Sequence, residues 1–419
     1  MIYKKNREFA LSLDEKDKLR KYRNYFHIPC KKNGEEYIYF CGNSLGLQPK
    51  ITSSYLNQEL QDWANFGVEG HTKATNPWMP YHEFLSEGFS KIVGAKLTEV
   101  VAMNTLTVNL HLMMVSFYIP TNKRNKIIIE SDAFPSDIYA VESQIKIHGY
   151  DPNEVLIKLK PRSGEDALRT EDIISEIQKK GDEVALIMLG GVNYYTGQVF
   201  DFEKITAAAH LKNIKVGFDL AHAAGNIKLE LNKWQVDFAV WCTYKYLNSG
   251  PGSVAGAFIH EKHHKTNLPR FAGWWGHDKE TRFAMPDNFS PIKTAEGWQL
   301  SNPPILSLAA IRASLEVFNQ AGIDNLIAKS KSLTDYLVYL LQTIDTDRIK
   351  IITPNDRGCQ ISLRILNSDK YLFKQITNCG VISDWREPDV IRIAPVPLYN
   401  NFLDVWSFYN ILNKLLSEK

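Results

Sequence analysis

Lys245 follows an apolar run, Val236–Trp241 (VDFAVW), by way of Cys242-Thr243-Tyr244, and leads into a loop holding Gly250 and Gly252. An amine just beyond a strand end is a nucleophile for a carbonyl carbon; taken alone it is as readily a surface lysine in a loop. Upstream by 26 residues, KVGFD (215–219) ends in Asp219 and is followed by Leu-Ala-His-Ala-Ala-Gly. Such a carboxylate either caps the turn after it or, buried beside a ligand, holds a pyridine nitrogen protonated. His222, three residues on, is a satisfied core histidine or a ligand contact. Thr105-Leu106-Thr107 opens an apolar helical stretch after VVAM. Hydroxyls at that position cap a helix, while the exposed N–H groups and positive dipole end of the same helix bind phosphate. Ser131–Asp137 (SDAFPSD) follows KIIIE and sets Phe134 near Asp137; that ring belongs to the core or stacks on a flat ligand.

The elements that must position these residues can be read from periodicity. Lys126–Glu130 (KIIIE), Val184–Leu189 (VALIML), Lys215–Asp219 (KVGFD) and Val236–Trp241 are short, nearly continuous apolar runs, which suits buried strands; helical stretches between them suit the crossovers of a mostly parallel sheet. Leu56, Leu60, Trp63 and Phe66 mark one helix by their spacing, and Phe84, Phe89, Ile92 and Val93 another. After Asn302-Pro303-Pro304 the pattern predicts helices over 305–321 and 323–343. Strands at IKIITP and CQISLRIL, a helix near 368–378, strands around VISDW and VIRIAP, and a final amphipathic helix from Asn401 complete it. The fold class is therefore α/β, a large domain with a mostly parallel sheet plus a smaller α+β C-terminal domain. The expected division is 1–49 as an N-terminal segment packing on the small domain, 50–302 as the large domain and 303–419 as the small one. Ligands in such sheets sit outside the carboxyl ends of the strands, where all four segments fall.

Composition excludes several function classes. Forty-nine Lys and Arg against 47 Asp and Glu leave a formal charge of +2, too little field to gather nucleic acid or an anionic membrane. The five cysteines are odd in number and scattered, without a CxxC pair that could nucleate a metal site or redox centre, and a reducing cytoplasm fits. The first 26 residues are charged throughout and lack a signal peptide's apolar core, and no stretch approaches the ~20 apolar residues of a membrane span.

Phosphate-binding helix start, stacking aromatic, Asp and then Lys come in the order and spacing of a fold-type I pyridoxal-phosphate enzyme. The resemblance becomes specific at CGNSLGLQPK (41–50), GVNYYTGQ (191–198), FDLAHAAGN (218–226), WCTYKYLNSGPG (241–252), GWWGH (273–277), SNPP (301–304) and DWREPDVIRIAPVPLYN (384–400). Together these segments, in one order over nearly the whole chain, resemble the kynureninase family. The resemblance implies a homodimer that hydrolyses L-kynurenine, 3-hydroxy-L-kynurenine or both to L-alanine and an anthranilate, in tryptophan catabolism. It implies that Leu106, Thr107, Phe134, Asp137, Asp219, His222 and Tyr244 contact pyridoxal 5'-phosphate and that Lys245 forms the Schiff base. It further implies that Trp274 and Asn302 approach phosphate or substrate and that Ser44, His71 and Arg392 lie near the substrate. Gly190 departs from the pattern, standing where some relatives carry a serine near the phosphate; this puts one phosphate contact in doubt.

Within that reading Lys245 is the general base for the Cα proton, Tyr244 a candidate proton donor, and Arg392 a two-pronged clamp for the α-carboxylate, with Arg386 as fallback. The competing role for Arg392 is a surface ion pair with Asp384, Glu387 or Asp389. Two other functions share the Asp and Lys constellation: another fold-type I activity, such as a cysteine desulfurase or aminotransferase, and a non-catalytic cofactor-binding regulator. A desulfurase needs a mobile nucleophilic cysteine, for which Cys359 is the one candidate outside the main domain; a regulator predicts a damaged lysine or aspartate.

Overall fold

The structure is a computed structural model and describes residues 2–366 and 370–417. Thirteen strands are found among those residues. β1 (Ile38–Tyr39) is followed by β2 (Val100–Ala102), β3 (Lys126–Glu130), β4 (Leu156–Leu159), β5 (Val184–Gly190), β6 (Lys215–Asp219), β7 (Phe238–Trp241) and β8 (Gly256–Ile259). β2 to β8 build one seven-stranded sheet in the order β2-β8-β7-β6-β5-β3-β4, parallel except for β8. Strands β3, β5, β6 and β7 are buried on both faces, which is why they read as continuous apolar runs instead of alternating ones. Three of the four expected strands agree to within one residue. The fourth begins two residues late, at Phe238, because the Asp237 side chain turns to meet a cluster of basic groups at the amino end of the sheet.

β9 (Ile349–Ile351), β10 (Ile361–Ile365), β12 (Asp384–Arg386) and β13 (Val390–Ile393) form a second, antiparallel sheet in the order β12-β13-β10-β9, while β11 (Val381–Ile382) pairs with β1 in parallel. The VISDW segment thus feeds two different sheets. Helices Ile305–Ala321 and Ile323–Gln342 lie where the spacing puts them, divided by Gly322 at φ +78, a conformation that only glycine adopts without strain. The helix expected near 368–378 is described from Tyr371 to Asn378; the start of that expectation lies outside the described residues. The final helix is Phe402–Ser417, and its first N–H groups are capped from afar: Asp14, on the N-terminal helix Arg7–Lys16, accepts from Phe402 N (2.7 Å) and Leu403 N (3.0 Å).

One helix is turned over relative to its apparent stripe. Thr52–Phe66 is helical, yet Trp63 is 61% exposed and Leu60 also faces out, whereas Glu59 and Asp62 are buried. Their partners explain the inversion. Glu59 accepts from Asn76 Nδ2 (3.0 Å), Trp78 Nε1 (3.1 Å) and the Tyr81 hydroxyl (2.9 Å), and Asp62 accepts from Thr75 N (2.9 Å). A carboxylate with three donors is satisfied inside the protein, and the loop that supplies them, 70–81, is tied to the helix.

Candidate active site

The carboxyl ends of β3, β5, β6 and β7 and the loop after β2 converge on one cavity. It is lined by Leu106 and Thr107, Glu130, Phe134, Ser136 and Asp137, Gly190, Val192 and Tyr194, Asp219, Ala221 and His222, and Tyr244 and Lys245. All eight cofactor contacts expected from Leu106 to Lys245 are therefore brought together. Lys245 Nζ lies 3.0 Å from His222 Nε2, 5.9 Å from the centre of the Phe134 ring and 6.0 Å from that of Tyr244. Burial, and after it the charges of Lys245, Arg392 and Arg386, hold the His222 pKa well below its usual value, so the ring is neutral and its Nε2 accepts from the lysine. Its Nδ1 is buried without a partner.

Asp219 and Asp137 stand side by side, both buried. Asp219 Oδ1 accepts from Ala221 N at 2.6 Å, so the turn-capping role holds for one of its oxygens. Burial raises both carboxyl pKa values; the Asp219 charge pushes Asp137 further up, and Lys245 draws both back down. Asp137 Oδ1 has no partner. At the opposite wall, Thr105 precedes helix Leu106–Phe117 without capping it through its side chain, and Thr107 Oγ1 meets Ser136 Oγ at 2.8 Å. The first N–H groups of that helix face the cavity with its positive dipole end. Phe134 is 42% exposed, with Tyr194 edge-on at 5.2 Å.

The remaining expected residues do not line this cavity in the single chain. Arg392, on β13, is only 1% exposed; it forms an ion pair with Asp384 and donates from Nη1 to the Tyr194 carbonyl at 2.8 Å, and its Nε has no partner. The surface-pair alternative is thus corrected, since the pair with Asp384 exists but is buried. Arg386 shares the same Asp384 oxygen at 3.0 Å and is more exposed. Ser44 is half-buried in the CGNSLG turn, and His71 packs edge-on to Trp78 at 5.6 Å with Nδ1 unpartnered. Trp274 is 41% exposed with Nε1 donating to the Arg282 carbonyl, and Asn302 is exposed. The N-terminal motif does reach the lysine loop. Gly46 N donates to the Tyr244 carbonyl at 2.8 Å, and a Cβ on Gly46 would come within 2.2 Å of the Lys245 carbonyl, so glycine is required by close approach.

Two features were not singled out from sequence. Glu130, closing β3, is buried and accepts from Gly190 N (3.1 Å) and Asn193 Nδ2 (2.7 Å); burial raises its carboxyl to about 7 despite those bonds. A charged residue ending a continuous apolar run was the available signal, the same one that marks Asp219. Tyr194 lay within a quoted motif but had no stated place. Gly190 is the register partner of Asp219, and a Cβ on it would meet Glu130 Oε1 at 2.8 Å. Gly190 thus stands at the carboxylate end of the cavity.

Comparison with known proteins agrees with this arrangement. Residues 326–412 match the model of the Kynureninase C-terminal domain. A protein named kynureninase from Myxococcus xanthus is 55% identical over 98% of this chain and 97% of its own length, and one from Flavobacterium psychrophilum is 54% identical over the full length of both. Among solved structures, a C-DES mutant with glycine linked covalently to its PLP cofactor superposes with a TM-score of 0.77, covering 90% of this chain and 96% of that one; at 13% identity it shows the fold-type I architecture alone. With identity above one half over the full length of these relatives, the chain belongs to the kynureninase family.

Proposed function

We propose that this chain hydrolyses L-kynurenine, 3-hydroxy-L-kynurenine or both to L-alanine and the corresponding anthranilate, at the cavity around Lys245. The observation that carries the reading is the pairing of Lys245 with a neutral His222 above two crowded, buried carboxylates. Pyridoxal phosphate fits the residues present. Asp137 Oδ1 and His222 Nδ1 are buried polar atoms without partners, and a protonated ring nitrogen beside Asp219 and Asp137 would offset the burial that raises both. The start of helix Leu106–Phe117, with Thr107 and Ser136, would hold the phosphate, and Phe134 would offer its ring to the cofactor.

When bound, the cofactor supplies an aldehyde that takes up an amino group and a ring that accepts electron pairs from the substrate carbons. The protein does the rest. Lys245 would hold the cofactor and, with its amine free, would move the Cα proton; His222, being neutral, can accept a hydrogen bond from it without repelling it. Tyr244, whose hydroxyl is raised above its usual pKa chiefly by burial, stays protonated and is the candidate donor of a proton to Cβ as the anthranilate leaves. Arg392 grips the α-carboxylate with the fork that Asp384 and the Tyr194 carbonyl orient. Water adds to the aryl ketone carbon, supplying the oxygen that leaves in the anthranilate carboxylate.

The desulfurase alternative loses its nucleophile: Cys359 is fully buried, and burial pushes its thiol up to about 12. Neither Lys245 nor Asp219 is damaged, which removes the motive for a non-catalytic regulator.

The enzyme acts as a homodimer in the cytoplasm. Large apolar side chains left exposed in segments 60–84 and 271–289, among them Trp63, Val68, Phe271, Phe283 and Met285, support a second copy as their cover. They include the segment carrying Trp274, which then reaches the substrate space of the assembled pair. Five free cysteines suit a reducing compartment, and no helix among the described residues is long and apolar enough to cross a membrane. Anthranilate fluorescence on adding L-kynurenine to the cofactor-loaded protein tests the reaction. Lys245→Ala is expected to abolish it together with the borohydride-reducible link to the cofactor, and label recovered on another lysine would reject the assignment.

A further inference from the structure

Glu130 is a wall of the cavity with no part in the chemistry above. Both of its oxygens are engaged by residues that follow β5: Oε1 accepts from Gly190 N and Oε2 from Asn193 Nδ2. The amide of Asn193 cannot turn round, because its Oδ1 accepts from Tyr195 N (3.0 Å), Thr196 N (2.8 Å) and Thr196 Oγ1 (3.1 Å). Its Nδ2 is therefore committed to Glu130. The turn so held presents the Tyr194 carbonyl to Arg392 Nη1 (2.8 Å) and to Gln360 Nε2 (3.0 Å), and the Tyr195 carbonyl to Ser362 Oγ (2.7 Å). Asn193–Thr196 is thus a bracket between the carboxylate floor of the cavity and the sheet that carries the arginine.

A structural glutamate would serve as well in neutral form if packing were all it did. Here two N–H donors converge on one side chain, and only a carboxylate offers both of them an acceptor; a glutamine must turn an NH2 group against one. Both donors find an oxygen on this side chain although Asp137 and Asp219 line the same cavity.

We propose that Glu130 is a positioning residue: by fixing Asn193 it sets where Arg392 stands relative to Lys245, and so how the substrate's α-carboxylate is seated. This rests on the reading of Arg392 as the carboxylate clamp.

The test uses the holoenzyme with Glu130→Gln, Asn193→Asp, the double variant, and Arg392→Lys. In Glu130→Gln an NH2 faces an N–H, and in Asn193→Asp two carboxylates face each other. Each is expected to raise KM for L-kynurenine by about tenfold, with kcat changed less than about threefold, and to weaken L-alanine binding, read from the cofactor spectrum, to a similar degree. The double variant restores the complement: the new amide at 130 accepts from Gly190 N and donates to the new carboxylate at 193, whose other oxygen still takes the three turn donors. Both KM and L-alanine affinity should return to within about threefold of wild type. A double variant as poor as the single ones would overturn the proposal, since the negative charge at 130, and not its hold on residue 193, would then be what matters. Wild-type KM in both single variants, with a damaged Arg392→Lys, would overturn it while sparing the clamp. A silent Arg392→Lys sinks the clamp reading itself, and the route from Glu130 through it.

Discussion

Asp219 and Asp237 lie at opposite ends of neighbouring strands, one closing β6 and the other just ahead of β7, and both are buried. Around Asp237 the protein places every partner a carboxylate can use: Val216 N at 2.9 Å, His210 Nε2 at 2.9 Å, His263 Nε2 at 2.7 Å, with Lys262 and Lys215 at 3.2 and 3.5 Å. Burial alone would raise this group, yet the two histidine bonds and the lysine charges outweigh it and hold the carboxyl far below the ordinary range. Asp219 has one backbone donor and shares its pocket with Asp137, and both are raised instead. The same residue type in the same sheet is completed by the protein at one end and left incomplete at the other. Where the chain leaves a buried carboxylate short of partners, a ligand is expected to supply them.

The largest test of that contrast is Asp237→Asn. Removing the anion from four basic groups should destabilise the cofactor-free protein by about 3–5 kcal/mol, read as a lowered denaturant midpoint, while turnover per folded molecule stays near wild type. An unmoved midpoint would deny Asp237 its structural role. Next, Asp219→Ala should lower kcat by roughly a hundredfold or more, about 2.7 kcal/mol, with part of the cofactor retained and no loss of stability in the cofactor-free protein. Near-normal turnover would remove the aspartate from the site. The smallest effect has a sign that separates the two ends. Because the Asp137 pKa is raised on folding, its contribution is fully present below its unfolded pKa near 4 and lost as pH rises through the folded value. Asp137→Asn should therefore stabilise the cofactor-free protein at pH 8 by about 1 kcal/mol and lose that advantage below about pH 4. Asp237 is depressed, so the stability it confers is present above the same ordinary value and lost only in stronger acid. If the gain in Asp137→Asn is independent of pH, the Asp137 carboxyl is not raised on folding.

What could be read without coordinates was largely local. Continuous apolar runs located β3, β5 and β6, and residues just past strand ends gave Phe134, Asp137, Asp219, His222 and Lys245, because side-chain burial and strand polarity are written within a few residues. The spacing of Leu56, Leu60, Trp63 and Phe66 marked the helix Thr52–Phe66 but not its covered face, since spacing cannot tell a face that meets this chain from one left for another surface. Glu130 escaped notice because its meaning depends on Asn193, 63 residues away in sequence. Arg392 presented a choice between clamp and ion pair, and burial showed that Asp384 orients the guanidinium without using all of it.

The strap formed by the first fifty residues has a consequence for how the molecule is made. β1 pairs with β11 roughly 340 residues further along, and Gly46 closes on the lysine loop roughly 200 residues on. At a ribosomal pace of ~5–20 residues per second, residues 38–46 leave the exit tunnel on the order of tens of seconds before their neighbours are synthesised. The lysine-bearing loop is therefore unfinished on the ribosome even after all seven strands of the large sheet have emerged. Capture of the cofactor in its final setting therefore waits until residue 381 has emerged, and a nascent protein arrested before that residue is expected to be poor at retaining it.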